Sequence, residues 1–271
     1  MCAAFEKITL FFRPVRSALD DGIAPSASVD PSAKLGTGVR IGPGAFIGAE
    51  VEIGDAAEIY PGATLMAGTK VGPRTKIFPR AVLYENTVVG ADCLIHAGAV
   101  LGAYGFGYDS STAGHVLSVQ YGNVVLGDQV EIGACTTIDR GTYGSTVIGS
   151  GTKIDDQVMI GHNCFIGRYN MICALTGIAG SVRTGDFVVM AGQVGVRDHV
   201  VIGDGAVLGA KAGVMGDIPA KGRYVGIPAT PEKDQMRTLV AVSKLHDMRK
   251  EFKEFQTTVA KLVERDQDKN E

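Results

Sequence analysis

The chain has 271 residues with 26 Lys+Arg against 29 Asp+Glu, a formal net charge of −3. That balance leaves no polybasic footprint for nucleic acid or an anionic membrane surface. Gly is abundant at 37 residues, Trp is absent, and the five cysteines form no CxxC pair; this fits a narrow core of medium side chains in a reducing compartment and argues against a disulfide scaffold.

Residues 3–12 can make one amphipathic helix that stops near Pro14, and 13–22 read as a linker. The apolar run at 8–12 is short, follows Glu6 and ends at Arg13-Pro14, so it is neither a signal peptide nor a membrane span. From Ile23 to Leu101 every sixth residue is Ile, Val or Leu. Four residues after each comes a small one, among them Ala27, Ala45, Ala63, Thr75, Cys93 and Ala99. Gly, Asp, Pro and Asn fall between them and accept turn geometry. Each hexad is therefore a short strand and a corner, too small to bury its own apolar row and stable only when stacked. A period of six predicts a parallel β-helix, an all-β solenoid of about ten coils and roughly 45 Å at the spacing of paired strands.

The register lapses over 103–123, a stretch rich in Gly, Ser and Tyr, and resumes at Leu126, Ile132 and Ile138. A second, four-residue insertion falls within 139–147, after which the frame runs from Ile148 to Val214. Insertions in such arrays collect on one face, commonly the binding face. The solenoid is placed at 23–218 and a C-terminal helical extension at 219–271. Within the extension, Leu245, Met248, Phe252, Phe255, Val259 and Leu262 describe a helical seam over 232–266. It packs either on its own body or on copies of itself.

His162 sits in a corner, where its side chain points out of the column. Gly180, eighteen residues later, stacks one coil above it, and His199, thirty-seven residues on, brings a second imidazole to the same edge. Asp155 lies at the preceding corner or reaches the site from a neighbouring subunit. A neutral imidazole can take a proton from an attacking amine or hydroxyl, and an unobstructed N–H can hold a developing oxyanion. No GxSxG elbow and no cysteine beside a histidine is present, so the set suits direct acyl transfer.

Several runs resemble UDP-3-O-acylglucosamine N-acyltransferase of lipid A biosynthesis, over about residues 3–255. They are 127–134 (GDQVEIGA), 137–141 (TIDRG), 146–149 (TVIG), Lys153-Ile154-Asp155, Ile160-Gly161-His162-Asn163 and Gly177-Ile178-Ala179-Gly180-Ser181. The resemblance implies a left-handed β-helix, a cytoplasmic homotrimer with sites between subunits, and transfer of a 3-hydroxyacyl group from acyl carrier protein to the 2-amino group of the nucleotide sugar. No cofactor is implied, since the acyl group rides on the carrier's phosphopantetheine. His162 matches the general base, Gly180 the oxyanion N–H and Asp155 an assisting acid. His199, near the sugar-nucleotide phosphates, Asn163 and Gly213, at the end of the acyl pocket, match substrate-binding positions. Arg237, Lys244, Arg249, Lys250 and Lys253 match the region that meets the carrier. Relatives also carry an N-terminal uracil-binding domain, of which 1–22 resembles only the last helix and linker. Tyr104 stands where the family's Ala-Asp-Gly-Phe-Gly segment has a carboxylate.

Two other readings stay open from sequence. One is a hexapeptide enzyme acting on another sugar or using acetyl-CoA. The other is a zinc enzyme of the carbonic anhydrase type, which needs three converging imidazoles where His162 and His199 supply two.

Overall fold

The computed structural model describes Phe12, residues 19–226 and 231–267, with side chains in the last segment to 261. The expected N-terminal helix and most of the linker lie outside the described residues. The strands form three parallel sheets of ten, nine and ten members, with a separate two-stranded hairpin. Stacked partners are eighteen residues apart, as in Ile47 on Leu65 and Leu65 on Leu83. The chain is a left-handed parallel β-helix.

Most strands are two residues long, the first facing out and the second, an Ile, Val or Leu, facing in: Glu52–Ile53, Lys76–Ile77 and Lys153–Ile154 are examples. The inward aliphatics and the small residues between them make one continuous buried core from Val39 to Ile218. Corners turn through the left-handed region, and many of them lack glycine, including Asn163 at φ 58° and His199 at φ 59°. Each such residue costs roughly 1–2 kcal/mol. The ladders above and below offset it.

Corner N–H groups are capped along the column. An aspartate one coil further on accepts the N–H of Thr37 (Asp55, 2.7 Å), Ala91 (Asp128, 2.8 Å), Ala134 (Asp156, 2.6 Å), Arg168 (Asp186, 2.7 Å) and Asp186 (Asp204, 2.8 Å). Satisfying these groups with carboxylates favours this corner over alternatives.

The long insertion is an antiparallel hairpin, Tyr108–Ser111 against Gly114–Leu117. The sheet continues past it, with Val88 paired to Val125. The second insertion docks on the base of the first, Tyr121 N–H donating to Thr142 O at 2.7 Å and Gly122 N–H to Gly141 O at 2.9 Å. Beyond Pro219 one more strand, Arg223–Tyr224, pairs with Val207–Leu208, so the solenoid outlasts the boundary at 218. Its partners are 16 residues apart instead of 18, which hides this coil from a strict six-residue frame.

Residues from Pro228 onward form a separate unit. Its helix, Glu232–Gln267, opens with Glu232 and Asp234 in the first turn, where acidic side chains complement the helix dipole. Leu245, Met248, Phe252, Phe255 and Val259 are exposed on it, while the Leu262 side chain lies outside the described residues. Among the described residues no helix is long and apolar enough to cross a membrane.

Candidate active site

His162 follows the strand Met159–Ile160 at a corner of the column, half-buried. Its Nδ1 lies 3.0 Å from Asn163 Oδ1. The same amide oxygen accepts the Thr142 backbone N–H at 3.0 Å and the Thr142 hydroxyl at 3.1 Å. A backbone N–H can only donate, so this atom is the acceptor and Nδ1 must carry the imidazole proton. The lone pair of the neutral ring is therefore on Nε2, the orientation a proton acceptor needs. Thr142 belongs to the second insertion, so the extra residues there set the tautomer of the histidine. From the other insertion, Gly105 packs on His162 so closely that a Cβ there would lie 2.7 Å from His162 Cβ.

Gly180 approaches Nε2 in the same way, and its N–H makes no hydrogen bond among the described residues. By the capping pattern Asp198, one coil on, should take that N–H. Instead its carboxylate turns to His199 Nδ1 at 2.9 Å and to Arg197 Nε at 3.5 Å. The His199 hydrogen bond, with a smaller contribution from Arg197, holds the Asp198 carboxyl below the usual range. An uncapped N–H beside a basic nitrogen is what a developing oxyanion requires.

Both groups open on a cleft of about 720 Å³ lined by Phe106, Asp139, Met159, His162, His199 and Met215, among others. Its floor is a column of outward positions on one face: Met159, Gly177, Gly195 and Gly213 pair in register. A Cβ on any of the three glycines would meet nothing within 4 Å. The missing side chains leave an apolar groove of roughly 14 Å along the axis at the paired-strand spacing.

Asp155 is not brought to this cleft within one chain. Its carboxylate accepts the Ala174 N–H at 3.0 Å, on a neighbouring face, in a second cleft with His96, Glu131, Lys153 and Cys173. Asp139, which sequence spacing did not single out, lines the His162 cleft instead. One signal was available: at the next two coils of this face the residue after the inward isoleucine is small, Gly161 and Ala179, and here it is an acid. Cys164 is buried near the site, and burial pushes its thiol up to about 11, so it stays protonated.

Arg140 turns away from the cleft. It donates to Gly102 O at 2.7 Å and pairs with Glu85 at 3.0 Å, under the rings of Tyr104 and Tyr84 at 5.3 and 5.8 Å. Tyr104 thus meets Arg140 through its ring face. Among the described residues no three His, Cys, Asp or Glu side chains gather as a metal site. Arg237, Lys244, Arg249 and Lys250 are exposed on the C-terminal helix.

Residues 68–103 match the family described as bacterial transferase hexapeptide (six repeats), and 199–217 match the hexapeptide repeat of succinyl-transferase. Fold and cleft thus define a hexapeptide-repeat protein of the transferase type. In sequence the chain is 50% identical over 232 residues to UDP-3-O-acylglucosamine N-acyltransferase of Rhizobium meliloti, covering 85% of this chain and 65% of that protein. It is 43% identical over 152 residues to the protein of that name from Methylobacterium sp., covering 56% of this chain and 43% of the relative. Within its class the chain resembles the UDP-3-O-acylglucosamine N-acyltransferases in sequence, and it spans about half the length of the curated relatives it matches. Among solved structures it resembles an Arabidopsis UDP-N-acetylglucosamine acyltransferase, with TM-score 0.70 and 29% identity over 76% of this chain and 71% of the other. The corresponding O-acyltransferase of Moraxella catarrhalis RH4 gives TM-score 0.61 and 26% identity over 80% and 77%.

Proposed function

We propose that this chain transfers a 3-hydroxyacyl group from the phosphopantetheine of acyl carrier protein to the 2-amino group of a UDP-3-O-acylglucosamine. The observation that carries this reading is the pairing of a histidine whose Nδ1 faces the Asn163 oxygen, leaving the lone pair of the neutral ring on Nε2, with a glycine-floored apolar groove beginning beside it. The groove suits an acyl chain. The uncapped Gly180 N–H suits the oxyanion of its thioester carbonyl, and Nε2 suits the proton of an attacking nitrogen. In that sequence the amine nitrogen bonds to the carbonyl carbon, His162 takes the proton the nitrogen sheds, the C–S bond breaks, and the proton passes to the departing thiolate.

A homotrimer is part of the reading. Phe165, Tyr169, Met171, Leu175 and Phe187 are large apolar residues exposed on the solenoid, surface that self-association would cover. Asp155 would then be available to a neighbouring subunit's cleft. The basic side chains Arg237, Lys244, Arg249 and Lys250 are the proposed contact for the acidic carrier protein, and the cytoplasm, where that carrier is charged, is the proposed site of action. The test is turnover of hydroxyacyl carrier protein and UDP-3-O-acylglucosamine by the wild type and by His162→Ala. No turnover by the wild type, or equal turnover by both, would overturn the reading.

A further inference from the structure

We infer that Asp139 receives the amino nitrogen of the acceptor and makes the site selective for a free amine over a hydroxyl; this rests on the acyl-transfer reading above. Asp139 ends the strand Thr137–Asp139 and is only 7% exposed, yet it lines the His162 cleft. Ile138 pairs with Ile160, which places Asp139 one coil below Gly161 and hence beside the corner that carries His162. Its carboxylate makes no hydrogen bond or ion pair among the described residues. The adjacent Arg140 is turned to Glu85 and Gly102 and does not neutralise it.

An unpaired carboxylate in a mostly apolar cleft is costly unless a ligand supplies the partner. The groups that face it are His162 from the next coil and the buried Cys164 thiol, with Arg197, Asp198 and His199 lining the same cleft. Burial pushes the Asp139 carboxyl up to about 6, and His162 draws it partly back. It is thus anionic at neutral pH but poorly compensated. A sugar hydroxyl would satisfy one lone pair and none of the charge. An amino nitrogen supplies N–H donors, and positive charge as it adds to the carbonyl. Asp139 therefore holds one N–H while His162 Nε2 takes the proton that leaves, and its own protonation does not change during transfer.

The experiment compares wild type, Asp139→Asn and Asp139→Glu with the same hydroxyacyl carrier protein. For the amine acceptor, kcat/KM should fall about 10–100-fold in Asp139→Asn, the usual effect of losing a charge-assisted hydrogen bond, with partial recovery in Asp139→Glu. The inhibition constant of the matching sugar nucleotide with a hydroxyl in place of the 2-amino group should stay within about twofold, because no amine contact is lost. Unchanged kcat/KM in Asp139→Asn, or a parallel rise in that inhibition constant, would overturn the inference while leaving the acyl-transfer reading intact. Absence of turnover by the wild type would remove both.

Discussion

The carboxylate of Asp198 lies 2.9 Å from Nδ1 of His199 and leaves the Gly180 N–H uncapped, whereas at five other corners the equivalent aspartate takes that N–H. His199 therefore has a part to play in turnover that does not require it to touch a phosphate. Removing it frees Asp198 to cap Gly180. We expect His199→Ala to lower kcat several-fold and His199→Ala with Asp198→Ala to restore it. If His199→Ala instead raises only the KM for the nucleotide sugar, its role is uniform binding.

A Cβ on Gly180 would stand 2.7 Å from His162 Nε2, closer than real side chains come. Gly180→Ala must push the imidazole aside. We expect turnover to fall by at least about 10²-fold, the scale at which a positioned proton acceptor contributes. Thermal unfolding should move little, because the displaced ring is outside the buried core. Near-normal kcat would contradict the close approach.

Asn163 acts on the tautomer of the base. In Asn163→Ala the ring loses its Nδ1 acceptor, so the proton can sit on either nitrogen and only part of the population presents a basic Nε2. We expect kcat to fall less than in His162→Ala, whose loss should be about 10²–10⁴-fold. Steady-state kinetics of the two variants decide it, and an equal loss in both would assign Asn163 a larger role than orientation.

The glycine floor predicts acyl-length control. Gly213→Met would place a side chain into open space at the far end of the groove, since nothing lies within 4 Å of a Cβ there. Activity with long hydroxyacyl carriers should drop while short ones are spared. Unchanged preference across a series of chain lengths would show that the chain runs elsewhere.

Asp139 also makes a claim on stability. Its folded value of about 6 lies above the ordinary 3.8, so between those pH values the native state keeps a proton that the unfolded chain has released. Stability therefore falls as pH rises through that window, and the penalty is complete above about 6. Asp139→Asn removes it. We expect the variant to be more stable than the wild type at pH 7 by roughly 1–3 kcal/mol, with the gain vanishing below about pH 4. Denaturant unfolding at the two pH values measures this, and a destabilised variant at pH 7 would contradict the buried charge.

Much of the architecture was legible because a six-residue period has few physical solutions. The rows from Ile41 to Val214 could be read as inward because an aliphatic at every sixth position buries itself only in stacked coils. His162 and Gly180 share an edge by eighteen-residue arithmetic, and the structure lines one cleft with them. What spacing could not show is where a side chain turns. Asp155 and Asp139 both follow an inward isoleucine, yet one faces the Ala174 N–H on a neighbouring face and the other faces His162. Nor could spacing show that Thr142, in an insertion, would reach Asn163 and settle the imidazole proton. The last coil escaped for a simpler reason, being two residues short of the frame.

Stacking at fixed intervals of eighteen makes the chain tolerant of some length changes and intolerant of others. Excision of residues 34–51, one whole coil, joins Ala33 to Glu52 and leaves every later aliphatic facing inward, so the column should shorten by about 4.8 Å and keep its cleft. Loss of one residue from the strand Phe46–Ile47 would throw its inward set outward, as any slip of a two-residue alternation does. The hairpin at 108–117 and the loop ending before Ser145 show where extra length is accepted, at corners, where it projects outward and the next strand still finds its partner. New chemistry can therefore enter such a protein by lengthening a corner, without renegotiating the core.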